Sequence, residues 1–400
     1  MKYIVLVPDG LADKPLKELG GKTPLEAART PHMDFLAKNG MTGLVQTIPD
    51  GLPPGSDIGN LSLMGYNPKK HLCGRAALEA ANLGVKLGKD EVAFRCNLVT
   101  VKNGTMVDYS AGHISTDEAR NLIEYLERMI DWPDVRFYPG KSYRHLMVVK
   151  TLNVVNMVNV KTTPPHDIMG KKIKSYLPSG QNGGILLRMM EKSPSILNDH
   201  QINKLRVDSH ENPANMIWLW GQGANPQLPL FKTRYGLSGS VISAVDLVNG
   251  IGCLIGLEVV SVPGANGYYD TNYKGKARYA LDSLKKNDFV FVHVEATDEA
   301  GHNGDWKAKV ACCERFDDEV VGTILKSYKN KEEGVRILVS PDHATPITIR
   351  THERGPVPFV MWGDGIKAGG IESYSEKAAS KPGVKFQSGE DMIHYLLKGK

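Results

Sequence analysis

The chain reads as an α/β protein in which a largely parallel sheet is sandwiched by helices and carries a smaller inserted α/β domain; three observations predict this. Three apolar runs rich in β-formers, Tyr3–Val7, Phe289–Glu295 and Val335–Ser340, each stop at a turn bearing acidic or imidazole side chains. Strands that are apolar throughout, rather than alternating, are those covered on both faces, as in parallel sheets. Helix-like and strand-like stretches alternate around them, the order that builds a layered α/β domain. The 400 residues also exceed the roughly 250 to 300 at which single cores stop growing, so two domains are expected.

Lys plus Arg number 49 and Asp plus Glu 44, giving a formal charge of +5 with the signs interspersed. No basic block points to nucleic acid, and the mild positive balance suits an anionic small substrate. The five cysteines, at 73, 96, 253, 312 and 313, lack metal-knuckle spacing and are expected to be reduced thiols in cytoplasm. The apolar run in MKYIVLVPDG is too short for a secretory signal. The most apolar long stretch, Val241–Val260, is broken by Asp246, Asn249 and Glu258, so no membrane span is expected. Nothing in the pattern sets an oligomeric state.

Taken in order, Tyr3–Val7 is a strand that ends at Pro8-Asp9-Gly10. Asp9 therefore sits at a carboxyl end, the edge where α/β sheets bind ligands; an Asx-turn carboxylate is the structural alternative. Thr30-Pro31 opens a helix through Lys38 that closes at Gly40, with Thr30 at the N-cap and Pro31 at the first helical position. A strand, Gly43–Ile48, leads into PDGLPPGSDIGN, where Ser56 stands ahead of a helix-like stretch. A hydroxyl there either caps the helix or carries a phosphate among its first N–H groups.

From about Cys73 the texture changes to strand-like pieces, Val92–Val101, Thr105–Tyr109, Val135–Tyr138 and Arg144–Lys150, with one amphipathic helix, Thr116–Met129. This unit carries Arg75, Arg95, His113, Arg144, His145, His166 and Asp167 near turns. Such groups hold phosphate and carboxylate when they converge and are otherwise solvated charge. A helix over Ile185–Lys192, a strand over Asn215–Trp220, a helix over Val241–Gly250 and a strand over Glu258–Val262 follow. The helix Ala277–Lys286 feeds the Phe289–Glu295 strand, and the helix Lys307–Lys329 precedes the strands Val335–Ser340 and Pro358–Trp362. The expected division is a discontinuous core, 1–70 with 264–400, and an inserted domain, 75–260.

Asp298 and His302 are four apart, on one face of a helix, where carboxylate and imidazole can share a cation. Alone, the pair reads equally well as an acidic first turn followed by a surface residue. Company decides: VLVPDG supplies Asp9, ILVSPDH supplies Asp342 and His343, and His352 follows in TIRTHERGPVP. A parallel sheet aligns its carboxyl ends, so three carboxylates and three imidazoles converge on one rim, too many for one tetrahedral site and suited to two divalent ions. Two ions would clamp the oxygens of an in-line phosphoryl transfer, and one would activate Ser56, which has no obvious neighbouring base. Glu295 could be a buried partner of His293, and Asp305 could orient His302 or simply solvate the loop; both stay outside the site.

The motifs PDG, GSDIGN, EATDEAGHNGD, SPDHATP and THERGPVPF, in this order, resemble the alkaline phosphatase superfamily. With TPLEAARTPHMDFLAKNG, GRAALEA, SYRHLMV and GSVISAVDLVNGIG, the chain is similar to the cofactor-independent phosphoglycerate mutases of the shorter, archaeal type. The resemblance implies an alkaline-phosphatase-like core with one ion on Asp298, His302 and His352 and a second on Asp9, Ser56, Asp342 and His343. The ions would be Mn, Mg or Zn, and no 2,3-bisphosphoglycerate would be needed. Ser56 would take the phosphoryl group from 3-phosphoglycerate and return it to the 2-position of the bound glycerate, a step of glycolysis and gluconeogenesis. The inserted domain would bind this small phosphorylated carboxylate, with His113 in SAGHIS on the phosphate and Arg144 and His145 in SYRHL as pocket residues. Lys274 or Lys276 would stand for the family's core lysine near the phosphoserine, Lys274 being the one assigned. The chain departs from the longer bacterial mutases at Gly55, where they carry Asn, and in lacking their Arg pair, which bears on the substrate contacts. Because the same motifs serve other small phosphorylated compounds, another phosphomutase, a phosphomonoester hydrolase or a homoserine kinase-like phosphotransferase is the alternative.

Overall fold

The computed structural model describes residues 1–226, 228–329, 333–381 and 383–399. The chain divides into two compact units, Met1–Leu72 with Gln227–Lys400, and Cys73–Pro226. Their strands, in chain order, are β1 (Lys2–Pro8), β2 (Met41–Val45), β3 (Glu91–Lys102), β4 (Thr105–Asp108), β5 (Val135–Tyr138), β6 (Arg144–Lys150), β7 (Met216–Ala224), β8 (Gly239–Ile242), β9 (Glu258–Val259), β10 (Phe289–Val294), β11 (Val335–Val339), β12 (Val357–Gly363) and β13 (Lys385–Phe386).

The first unit is built on an eight-stranded sheet in the order β13-β2-β12-β11-β1-β10-β8-β9. Its centre, β11, β1, β10, β8 and β9, is parallel, and β12 lies antiparallel to β11 and β2. The continuous apolar runs have the burial they predict. Ile4 to Val7 and the whole of β10 are shielded from solvent, so both faces of the sheet are covered. Ile4 and Leu6 pack with Met33, Leu36, Tyr273, Ala277, Phe316 and Val320 from helices on one face. Pro8 pairs with Val294 and Leu6 with Val339, which levels the carboxyl ends of β1, β10 and β11.

Several expectations change here. Val241 and Ile242 end β8 beside β10, and the helix begins only at Asp246, running to Leu254. Periodicity cannot separate a short apolar strand from a buried helix, and pairing with β10 settles this one. Because β8 and β9 complete the first unit's sheet, the second unit ends at 226 and not at 260. The long helix expected over Lys307–Lys329 is interrupted by a wider π turn, Phe316–Gly322. That turn holds the buried Asp317, whose carboxylate accepts from the backbone N–H groups of His32 at 3.1 Å and Met33 at 2.7 Å. Thr30 is the N-cap residue of the Pro31–Asn39 helix, but its side chain makes no capping bond; Asp317 does that work from elsewhere in the chain.

The second unit is antiparallel. Its long strand β3 pairs with β4, β6 and β7, and β5 pairs with β6. The Thr116–Met129 helix, closed at its start by a Ser115–Glu118 capping box, lays Leu122 and Leu126 into a core with Phe94, Leu98, Met147 and Trp218. Among the described residues no helix is long and apolar enough to cross a membrane, and none of the five cysteines is in a disulfide.

Candidate functional site

The turns after β1, β10 and β11 converge, and the first group they form is centred on His343. Asp9, fully buried, places its Oδ2 at 2.7 Å from His293 Nε2, while its Oδ1 is buried with no hydrogen-bond partner. Asp342 accepts from Gly10 N at 3.2 Å and from Asn60 Nδ2 at 2.8 Å. Ser56 is the first residue of the Ser56–Leu63 helix and not its cap, which is Gly55. Its Oγ stands 3.1 Å from His343 Nε2, which lies 3.5 Å from Asp9 Oδ1 and 3.4 Å from Asp342 Oδ2. Asn60, one helical turn on, also donates to the Ser56 carbonyl at 2.9 Å. One buried amide thus ties the serine to Asp342. Gly59 permits the approach, since a Cβ there would lie 2.5 Å from the Asp342 carbonyl oxygen.

The second group hangs on the Ala296–Asn303 helix. Asp298 reaches His302 Nε2 at 3.1 Å through Oδ2 and His352 Nε2 at 3.5 Å through Oδ1, and the two Nε2 atoms are 3.0 Å apart. His302 Nδ1 lies 3.0 Å from the Arg350 carbonyl. A carbonyl only accepts, so Nδ1 donates a proton to it, while Nε2 faces Asp298 and His352; the hydrogen bond with Asp298 outweighs burial and raises the His302 imidazole to about 9. The rings of His343 and His352, 4.1 Å apart at their centroids, join the two groups. Asp305 does not orient His302; it caps the Trp306–Arg315 helix by accepting from Ala308 N.

Electrostatics point the same way. Burial, reinforced by the charges of Asp342, Glu295 and Asp298, raises the Asp9 carboxyl well above its ordinary range. Burial and the Asp298 charge push Glu295 up to about 8. For Asp298 burial also acts upward, but hydrogen bonds from His302 and His352 outweigh it and hold the carboxyl well below the usual range. Crowded carboxylates, an orphaned Asp9 oxygen and two opposed imidazole nitrogens form a donor set that fits hard or borderline divalent cations. Asp298 with His343 and His352, and Asp9 with Asp342 and His343, each present ligand atoms within 4.8 Å of one another.

The family model for 2,3-bisphosphoglycerate-independent phosphoglycerate mutase matches residues 37–203. A mutase of that name from Methanosarcina barkeri is 50% identical over 402 aligned residues, covering 100% of both chains. One described as probable, from Geobacter sulfurreducens, is 48% identical, with 99% of this chain and 100% of the other covered. The chain belongs to this mutase family. Among solved structures, the PH0037 protein from Pyrococcus horikoshii aligns with a TM-score of 0.84 at 30% identity, over 100% of this chain and 98% of that one. The cofactor-independent phosphoglycerate mutase from Thermoplasma acidophilum aligns with a TM-score of 0.70 at 26% identity, over 100% and 99%.

In this mutase-family chain the two candidate lysines lie in different surroundings. Lys274 is exposed on the outer side of the Tyr273–Ser283 helix, whereas Lys276 is fully buried and donates from Nζ to the His293 carbonyl at 2.8 Å. Positions two apart on a helix face nearly opposite ways, so only one could turn inward. Burial lowers the Lys276 ammonium to about 8, and the Glu295 charge opposes that fall. Asn60, His293 and Thr345 were missed. Asn60 had a signal, helical i+4 spacing from Ser56; His293, within an apolar strand, had none beyond its place beside Glu295.

In the second unit the mutase-family chain brings His113 and Arg144 together on Tyr143. The Arg144 guanidinium lies 4.5 Å from the centroid of the Tyr143 ring, and His113 meets that ring edge-on at 6.0 Å. Asp108 holds the loop of His113 by accepting from Ser110 and Gly112 N–H groups. Beyond them Tyr109, His166, Trp220 and Arg95 continue the array, with Arg95 4.1 Å over Trp220. His145 is not part of it. Successive strand residues face opposite ways, so with Arg144 outside, His145 is buried, accepting from Gly140 N at 3.0 Å, and burial depresses it to about 3. The expectation that His145 lines a pocket is therefore withdrawn.

Proposed function

We propose that the chain interconverts 3-phosphoglycerate and 2-phosphoglycerate through a phosphoserine on Ser56, with two divalent ions at the sheet rim. The observation that carries this reading is Ser56 Oγ, 3.1 Å from His343 Nε2, beside Asp9 and Asp342 and at a helix start. Bound divalent ions supply positive charge that favours the serine alkoxide and offsets charge building on the transferring phosphoryl oxygens. Asp298, His302 and His352 would hold one ion, and Asp9, Ser56, Asp342 and His343 the other; Mn, Mg and Zn all accept such donors.

Ser56 Oγ attacks the phosphorus of 3-phosphoglycerate. The Oγ–P bond forms as the bond to the 3-oxygen breaks, and that oxygen takes a proton. The retained glycerate then presents its 2-hydroxyl, which loses a proton and attacks the same phosphorus, restoring the serine. Free phosphate and 2,3-bisphosphoglycerate play no part. Asn60 fixes the nucleophile through the Ser56 carbonyl and Asp342 at once, which limits how far the hydroxyl can stray from attack geometry. First-turn N–H groups of the Ser56–Leu63 helix suit a phosphoryl group carried on the serine. In the second unit, the exposed His113 and Arg144 are the proposed contacts for this substrate's phosphate and carboxylate.

Phosphorus NMR with 3-phosphoglycerate and Mn tests the reading. The 2-isomer is expected to accumulate to equilibrium without free phosphate, and Ser56→Ala to abolish the exchange while Mn is still bound. Free phosphate appearing without the 2-isomer would replace the mutase with a hydrolase; unchanged turnover in Ser56→Ala would remove the phosphoserine.

A further inference from the structure

Thr345 touches both ligand groups with a single hydroxyl. Its Oγ1 donates to Asp298 Oδ1 and lies 3.2 Å from His343 Nδ1. A hydroxyl has one proton, and an ionised carboxylate can only accept. The proton therefore goes to Asp298, and His343 must be the donor to the threonine oxygen. That assignment puts the His343 proton on Nδ1 and leaves Nε2 as the lone pair facing Ser56 Oγ, Asp9 and Asp342. His302 also keeps a proton on Nδ1, held by the Arg350 carbonyl, but Thr345 does for His343 something a carbonyl cannot, because it passes the polarity on to a ligand of the other group.

The hydroxyl is held in place from behind. Lys309 Nζ donates to the Thr345 carbonyl at 2.8 Å and to Asp13 Oδ2 at 2.8 Å, and Lys309 has no exposed surface. Asp13 in turn accepts from Ile347 N at 3.2 Å. A Cβ at Gly10 would lie 2.5 Å from both Thr345 Oγ1 and Asp298 Oδ1, so that residue leaves the room the contact needs. The buried Asp13–Lys309 pair thus clasps the loop bearing Asp342, His343 and Thr345 to the segment that follows Asp9.

We infer that Thr345 is a positioning residue that fixes the His343 tautomer and couples the two metal groups, so that filling one predisposes the other. This rests on the two-metal reading above. Outer partners of metal ligands typically contribute about 10- to 100-fold in affinity. Thr345→Val, isosteric but without the hydroxyl, is expected to weaken Mn binding by about tenfold or more and to make two linked binding events independent in calorimetry. Thr345→Ser is expected to restore wild-type binding. Imidazole nitrogen shifts read the tautomer without any metal: His343 should be protonated at Nδ1 in wild type and Thr345→Ser, and a mixture in Thr345→Val. Circular dichroism melts show whether each variant is folded, and Thr345→Ser keeps the comparison open if the valine variant is not. Wild-type protein that binds no Mn would defeat the two-metal reading while leaving the tautomer measurement to judge Thr345. Wild-type binding of two ions, with Thr345→Val unchanged in affinity, coupling and tautomer, would overturn the inference.

Discussion

Lys274 and Lys276 differ by two positions and by almost everything that matters physically. Lys276 is sealed against the carbonyl of His293, whose ring holds Asp9. Lys276→Met is expected to cut kcat by at least about tenfold, whereas Lys274→Ala, an exposed change, should stay near wild type. Phosphorus NMR turnover of both variants decides which lysine serves the centre. Away from the rim, Glu376 accepts from Asp13 N and Thr23 Oγ1, yet burial lifts its carboxyl to about 6 against an ordinary 4.5. A carboxyl raised on folding binds more protons in the folded state between these values, so its contribution falls as pH rises through about 6. The stability difference between wild type and Glu376→Gln is expected to shift against wild type by up to about 2 kcal/mol between pH 4.5 and pH 7, measured by urea unfolding.

At the scale of elements, the wider turn at Phe316–Gly322 earns its place by where it puts Asp317. Two N–H groups at the start of the Pro31–Asn39 helix are satisfied by that one carboxylate, and His32 Nδ1 lies 2.9 Å from it. Asp317→Ala leaves those donors unpaired and should cost about 1 to 2 kcal/mol, read as a lower urea midpoint with an unchanged slope. Sequence could not show this cap, because Thr30-Pro31 satisfies every local rule for a helix start and the true acceptor lies 287 residues away from Thr30 along the chain. The same limit explains His145. Its place beside Arg144 suggested shared function, but strand alternation in β6 sends the two side chains to opposite faces. By contrast Asp9, Asp342 and His343 were readable, since an apolar run ending at a turn fixes both the strand and the end at which its polar residues emerge.

For the whole molecule, the difference between local and distant information also sets where the units divide. The change of texture near Cys73 marks the start of the second unit, Cys73–Pro226, within a few residues. Its end was placed too late because β8 is only four residues long, and what makes it part of the first unit is pairing with β10, some 50 positions onward. The corrected division carries a consequence for stability. All seven proposed metal ligands, together with Thr345, Lys309 and Asp13, lie in the unit formed by Met1–Leu72 and Gln227–Lys400, and none lies in Cys73–Pro226. A ligand stabilises only the folded region that binds it, by about 2.7 kcal/mol when present at a hundredfold over its Kd. Hydrogen exchange with and without saturating Mn should therefore show slower opening in the peptides around Asp9, Ser56, Asp298 and Asp342, with β3, β6 and the Thr116–Met129 helix unchanged. Equal protection gained in both units would mean that the metal acts on the chain as one cooperative body, and the independence inferred from two separate cores would have to be given up.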